Sequence, residues 1–167
     1  MLMAAEYVPS VGAAFPLLLN FREVLLGNGF VVEVDAVNGR ALCVKESDGF
    51  WIYGVNPGGM SAFGHDARTA RKEFRAAFSD IMRDIASECD SFGDFEQAVR
   101  LFFADTNPGY EHPWADAVAA VRAGAVSVDG LEKSSADASL EVRVGIKPVG
   151  EVRPADNQPR LNIGLAA

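Results

Sequence analysis

Residues 49–86 read GFWIYGVNPGGMSAFGHDARTARKEFRAAFSDIMRDIA, and the fold turns on this stretch. Asp48-Gly49 marks a tight turn before it. Phe50, Trp51, Ile52, Tyr53 and Val55 then favour extended backbone. Phe50 and Ile52 point to one face of that strand, and Trp51, Tyr53 and Val55 to the other. Both faces are apolar, which calls for cover on both sides. A glycine-rich loop follows, from Asn56 to Gly64. Pro57 fixes one φ angle there, and Gly58, Gly59 and Gly64 allow backbone geometry closed to other residues. Asp66 or His65 can cap the next helix, expected over about 66–88. Ala70, Phe74, Ala77, Phe78, Ile81 and Ile85 give that helix one apolar stripe at spacings of three and four.

Working upstream, the chain reads as short strands at 30–36, 40–46 and 50–55. Asn38-Gly39 and Asp48-Gly49 stand between them as turns, and Asn28-Gly29 precedes them. Phe15 to Leu26 is apolar, with Arg22 and Glu23 inside the run; it is open to a short helix, though the Asn28-Gly29 hairpin signal follows it. Two-residue hairpins place Val34 opposite Cys43, Ala36 opposite Ala41, Cys43 opposite Gly54 and Lys45 opposite Ile52. One face then collects Phe30, Val32, Val34, Ala41, Cys43, Phe50 and Ile52, and belongs under the long helix. The other collects Val31, Glu33, Asp35, Leu42, Val44, Trp51, Tyr53 and Val55. It is too apolar to stand in water, so the later chain or a second subunit covers it. The expected fold is α+β: a four-stranded antiparallel meander over about 19–55, packed on one long helix.

Downstream, Ser91 to Asp94 break the helix. A second helix is expected from Phe95 to Ala104, carrying Val99, Phe102 and Phe103. Thr106-Asn107-Pro108-Gly109 ends it. A third begins near Pro113, with Trp114, Val118 and Val121, and runs to Gly124. Residues 129–138 read as a linker, 139–146 as a possible strand, and 147–160, with three prolines, as loose. The division expected is one domain over 1–125, with helices at 94–124, and an appendage over 126–167.

The chain has 167 residues and a formal charge of −8, and about half of it is apolar. No run approaches the roughly 20 apolar residues of a membrane span. MLMAAEYVPS lacks the basic-then-apolar order of a signal peptide. Cys43 and Cys89 make no disulfide framework, and a cytoplasmic setting fits. The negative charge speaks against phosphate-backbone binding by the whole surface. It suits a basic protein partner.

Candidate chemistry is sparse. The glycine-rich loop lacks the lysine and hydroxyl of a Walker loop, so a plain turn is the better reading than a phosphate cradle. Glu33, Asp35 and Glu46 share a face in the hairpin register, but no further carboxylate completes a two-metal set. His65 and His112 are isolated, at helix starts. Ser61 and Ser79 have no evident base. Arg68, Arg71, Lys72 and Arg75 form a basic face at the start of the long helix, where they oppose the macrodipole. That face is either solvated or a site for an acidic partner or RNA.

Residues 30–90 resemble the HicB family, whose members look like a truncated RNase H fold. The residues that carry the resemblance are Asp48-Gly49-Phe50, the strand Trp51 to Val55, Pro57-Gly58, Ser61, Gly64, Asp66 and Ala70. The loop is one residue longer than the family's form, because His65 stands between Gly64 and Asp66. No ribbon-helix-helix or helix-turn-helix is legible after Asp94. The resemblance implies a non-catalytic protein without cofactor or metal that acts through protein contacts, with a small basic toxin-like protein as one partner. Two other classes stay open: a nucleic-acid-binding regulator using the basic helix face, and a degenerate RNase H-like hydrolase. A homodimer is expected, with Trp51, Tyr53, Leu42 and Val44 at its interface.

Overall fold

A 15-residue strand, β2 (Val31–Lys45), is the spine of the computed structural model. The structure describes residues 14–148, 150, 152, 153 and 158–167. β2 runs straight through Asn38-Gly39, where the sequence points to a turn. Asn38 takes φ +62, and the pairing register with β1 (Ala14–Leu26) slips between Leu19 and Phe21 beside it. The turn residues therefore make a bulge within one strand, and 30–36 and 40–46 are not separate strands. Val34 lies opposite Glu23, not Cys43, and Ala36 opposite Phe21, not Ala41.

The face assignment survives this change. A bulge inserts one residue and so reverses which face the later side chains take, as a two-residue hairpin also does. Val32, Val34, Ala36, Ala41 and Cys43 therefore still share one face and one core. β3 (Phe50–Asn56) follows the Asp48-Gly49 turn with its register shifted by two residues: Cys43 pairs Ile52, and Lys45 pairs Phe50. An even shift leaves faces unchanged. The end of the expected loop is itself a strand, β4 (Ser61–Gly64), paired with β3.

Three helices come next: α1 (Ala67–Glu88), α2 (Phe92–Ala104) and α3 (Pro108–Arg122). α3 starts before Pro113, which lies inside it. Asn107 caps α3 by accepting from the Gly109 amide at 3.2 Å, so the residues read as a terminator begin a helix. The stretch expected as an appendage supplies β5 (Lys133–Ser134), β6 (Glu141–Ile146) and β7 (Arg160–Ala166). These join the same sheet, which is antiparallel but for the β5–β7 pair and whose order is β4-β3-β2-β1-β7-β5, in an α+β fold. β6 shares one edge of β2 with β3: β6 takes residues 32–37 and β3 takes 40–45. Part of the expected loose stretch, 147–160, lies outside the described residues.

α1 and α2 cover one face of the sheet. Ala70, Phe74, Phe78, Met82 and Ala86 form the buried line of α1 at intervals of four, with Ala77, Ile81 and Ile85 flanking it. They pack on Phe21, Val32, Val34 and Ile52, and α2 adds Phe95, Val99 and Phe103. The other face has two halves, which explains its mixed composition. Leu42, Val44 and Val55 lie under Trp114, Ala117 and Val118 of α3. Glu33, on the other half, pairs with Arg22 at 3.0 Å and Lys147 at 3.2 Å. No helix among the described residues is long and apolar enough to cross a membrane.

Candidate functional site

The start of α1 gathers an acidic cap and four cations. Asp66 caps it, accepting from the Thr69 amide at 2.7 Å. That hydrogen bond, aided by the Arg68 charge, holds the Asp66 carboxyl below its usual range. The first turn contains no acidic residue. Arg68, Arg71, Lys72 and Arg75 instead lie along one side of the helix, at spacings of three and four. The amide end of a helix carries partial positive charge, an effect that falls off within the first turn, so of the four cations Arg68 bears a cost, of roughly 0.3–1 kcal/mol.

All four side chains are exposed. None makes an ion pair with a described residue. Arg71 Nε donates to the Ala67 carbonyl, at 3.3 Å. The four line a single cleft of about 1050 Å³. β7 lines it too, at Leu161 to Gly164, with the segment from Gly130 to Glu132 and with Leu18, Asn20 and Asn38 of β1 and β2. Leu161 and Ile163 turn their side chains to the α1 face of the sheet, where they pack against its core. Glu132 is the acidic side chain lining the cleft among the described residues. The sequence shows the basic stripe; the β7 lining lies some 90 residues further along and is not legible from it.

The other candidates are not brought together in this way. Gly58 donates its amide to the Asp105 carbonyl at 2.8 Å, and the Asn107 amide donates to Val55 O at 2.9 Å. A side chain at Gly58 would collide with the backbone of Thr106 and Asn107, and one at Gly64 with that of Thr69 and Ala70. These glycines allow close backbone approach within the chain, while Gly59 is exposed and Pro57 buried. The loop is filled by its own neighbours.

Leu42 and Val44 are each 0% exposed beneath α3, so they are core and not a surface for a second subunit. Trp51 and Tyr53 remain half-exposed. Trp51 stacks on Tyr53 at 5.7 Å, Tyr53 on Tyr110 at 4.7 Å, and Trp51 tilts against Phe63 at 5.2 Å.

The carboxylates do not converge. Glu33 is held by two cations, which keep it below its usual range despite partial burial. Glu46 lies beyond the other end of β2, in the turn, and 11 residues of extended chain from Asp35 span roughly 35 Å. His65 approaches the Asp48 carbonyl and the edge of Phe63; His112 lies 3.6 Å from Asp116.

Ser79 does have a carboxylate partner, one that sequence reading missed. Its hydroxyl donates to Glu23 Oε1 at 2.8 Å inside the core. Burial pushes the Glu23 carboxyl up, and Arg83 reaches the same oxygen at 3.4 Å. The one signal for it was a charged residue at a core-facing position in an apolar run. Burial also pushes the Cys43 thiol up to about 11, which leaves it unreactive. No family model, curated protein or solved structure matches the chain.

Proposed function

We propose that the chain is a non-catalytic, HicB-like protein that acts through protein contacts, with the cationic cleft as its working surface and an acidic protein segment as its ligand. One observation carries this reading. Four exposed cations without an ion-pair partner among the described residues line one cleft along the first turns of α1, in a chain of net charge −8. A solvated face needs no such convergence on a shared cavity. Separated carboxylates support the non-catalytic part. The strand, small-residue loop and helix that carry the HicB resemblance correspond to β3, β4 and α1. A basic toxin-like partner would meet the acidic remainder of the surface, not this cleft.

An acidic protein fits better than nucleic acid. Arg68 to Arg75 spans roughly 10 Å along the helix axis, enough for two or three anionic groups. A longer phosphate backbone would leave the cleft for a surface of its own sign. The test is fluorescence anisotropy with a labelled glutamate-rich peptide and a labelled single-stranded RNA, on wild type and Arg71→Glu/Lys72→Glu. The expected result is salt-sensitive peptide binding that the double variant loses. RNA binding without peptide binding would replace this reading with that of a nucleic-acid regulator.

The half-exposed row of Trp51, Tyr53, Phe63 and Tyr110 favours a second reading, self-association as a homodimer. Sedimentation equilibrium decides it. A dimer that Trp51→Glu dissociates supports the row as interface, and a monomeric wild type excludes it.

A further inference from the structure

The β7 strand that lines the cleft with the four cations is an open strand edge. β7 pairs β1 through residues 161–165 and Arg160, but on its outer side it has only β5, at Leu165 and Ala166. Among the described residues, no strand covers that side from Arg160 to Gly164. The amides of Leu165 and Ala167 point outward, donating to Glu132 O and Ser134 O at 2.9 Å each. Backbone groups in an antiparallel ladder alternate in direction at every residue. The amides and carbonyls of Leu161 and Ile163 therefore point the same way, away from β1 and toward the β5 side, in continuation of the β5 pairing.

From this we infer that the ligand of the cleft is an extended acidic segment that adds to the outer edge of β7 as a further strand, in line with β5. The inference rests on the proposed acidic partner and specifies how it is held. Main-chain hydrogen bonds to Leu161 and Ile163 supply the affinity, and side-chain alternation supplies the selectivity. Residues of the added strand opposite Leu161 and Ile163 share their face, the one beneath α1. Successive side chains on that face stand roughly 6.8 Å apart, so two or three carboxylates at every second position match the span of Arg68, Arg71, Lys72 and Arg75. The intervening side chains point to the opposite face, beside Asn162 and Gly164, where small polar residues fit. Nucleic acid has no alternating amides and carbonyls to offer this edge. The chemistry thus selects a peptide in which Glu or Asp alternates with Thr, Ser or another small residue.

The probe is a labelled synthetic nonapeptide of alternating glutamate and threonine, titrated against the full chain at low salt. A second probe has the same sequence with its central amides N-methylated. The protein variants are Ile163→Pro, which removes an outward amide not used in the β1 ladder, and Arg71→Glu/Lys72→Glu, on an exposed helix surface. Circular dichroism establishes that each is folded, and the N-methylated probe keeps the test open if Ile163→Pro does not fold. Binding by the first probe is expected, weakened about tenfold or more by N-methylation or by Ile163→Pro, because each removes edge hydrogen bonds. The charge reversal is expected to abolish it. Binding that needs the charges but ignores both N-methylation and Ile163→Pro would overturn strand addition and leave the acidic-partner reading standing. No binding of the acidic peptide, or binding unaffected by the charge reversal, would overturn both.

Discussion

Phe78 of α1 stacks on Phe21 of β1, with ring centroids 4.8 Å apart and planes 17° from parallel. Phe78 also meets Phe74 edge-on at 5.4 Å and Phe103 of α2 at 6.0 Å. One side chain thus ties the sheet to both helices of its face. Phe78→Ala is expected to cost about 3–5 kcal/mol, the usual range for a core aromatic. Urea unfolding measures it; a loss below about 1 kcal/mol would mean that α1 does not pack on the sheet through this stripe.

α3 closes the opposite face, and Arg40 holds Trp114 from the sheet side. The Arg40 guanidinium lies 5.2 Å from the Trp114 ring centroid and grips both Glu111 oxygens at 2.7 and 2.8 Å. Lysine offers a point charge without the planar fork. Arg40→Lys is therefore expected to lower stability by roughly 0.5–2 kcal/mol, and Trp114→Ala by about 3–5 kcal/mol. Thermal unfolding at neutral pH checks both, and Arg40→Lys should not change the secondary-structure content.

Glu23 gives stability a pH dependence of known sign. Its carboxyl is raised in the fold because it is buried beneath α1 with one oxygen lacking a described hydrogen-bond partner. An acid raised in the folded state binds more protons there than in the unfolded chain. Its stabilisation is thus full below the ordinary value of 4.5 and is lost as pH rises through the folded one. Glu23→Gln keeps an acceptor for Ser79 and removes the titration. The difference in stability between variant and wild type should shift in the variant's favour as pH climbs from 4.5 toward neutrality. A constant difference across that window would contradict the burial of a titrating carboxyl.

Side-chain faces were easier to read than strand connections, and Asn38 shows why. Asparagine tolerates positive φ in a tight turn and in a bulge alike, and both reverse the order of faces. The local sequence therefore gives the same core residues for either. What decides between them is β1 and β6 pairing along β2, and β6 lies about 100 residues away. β7 escaped notice because Pro148, Pro154 and Pro159 colour the stretch before it, while Leu161, Ile163 and Leu165 alternate just beyond. Of the candidate site, the basic stripe is written in the spacing of Arg68, Arg71, Lys72 and Arg75. The cleft is not, since only the β1–β7 pairing brings Leu161 to Gly164 alongside them.

The sheet carboxylates should be structural. Glu33 balances Arg22 and Lys147, and among the described residues no group of three or more His, Cys, Asp or Glu side chains is placed to share a metal. Purified protein incubated with RNA or DNA and magnesium or manganese is expected to leave both intact. Reproducible cleavage that Asp35→Asn removes would restore the hydrolase reading.

The cleft itself is tested most directly by NMR. Amide shifts of the isotope-labelled full chain are followed as the alternating glutamate–threonine nonapeptide is added at low salt. The expected result is a continuous set of shifts over residues 68–75 on α1 and 160–164 on β7, reversed by added salt. Shifts confined to the Trp51, Tyr53 and Tyr110 surface, or none at saturating peptide, would contradict the cleft as the binding surface.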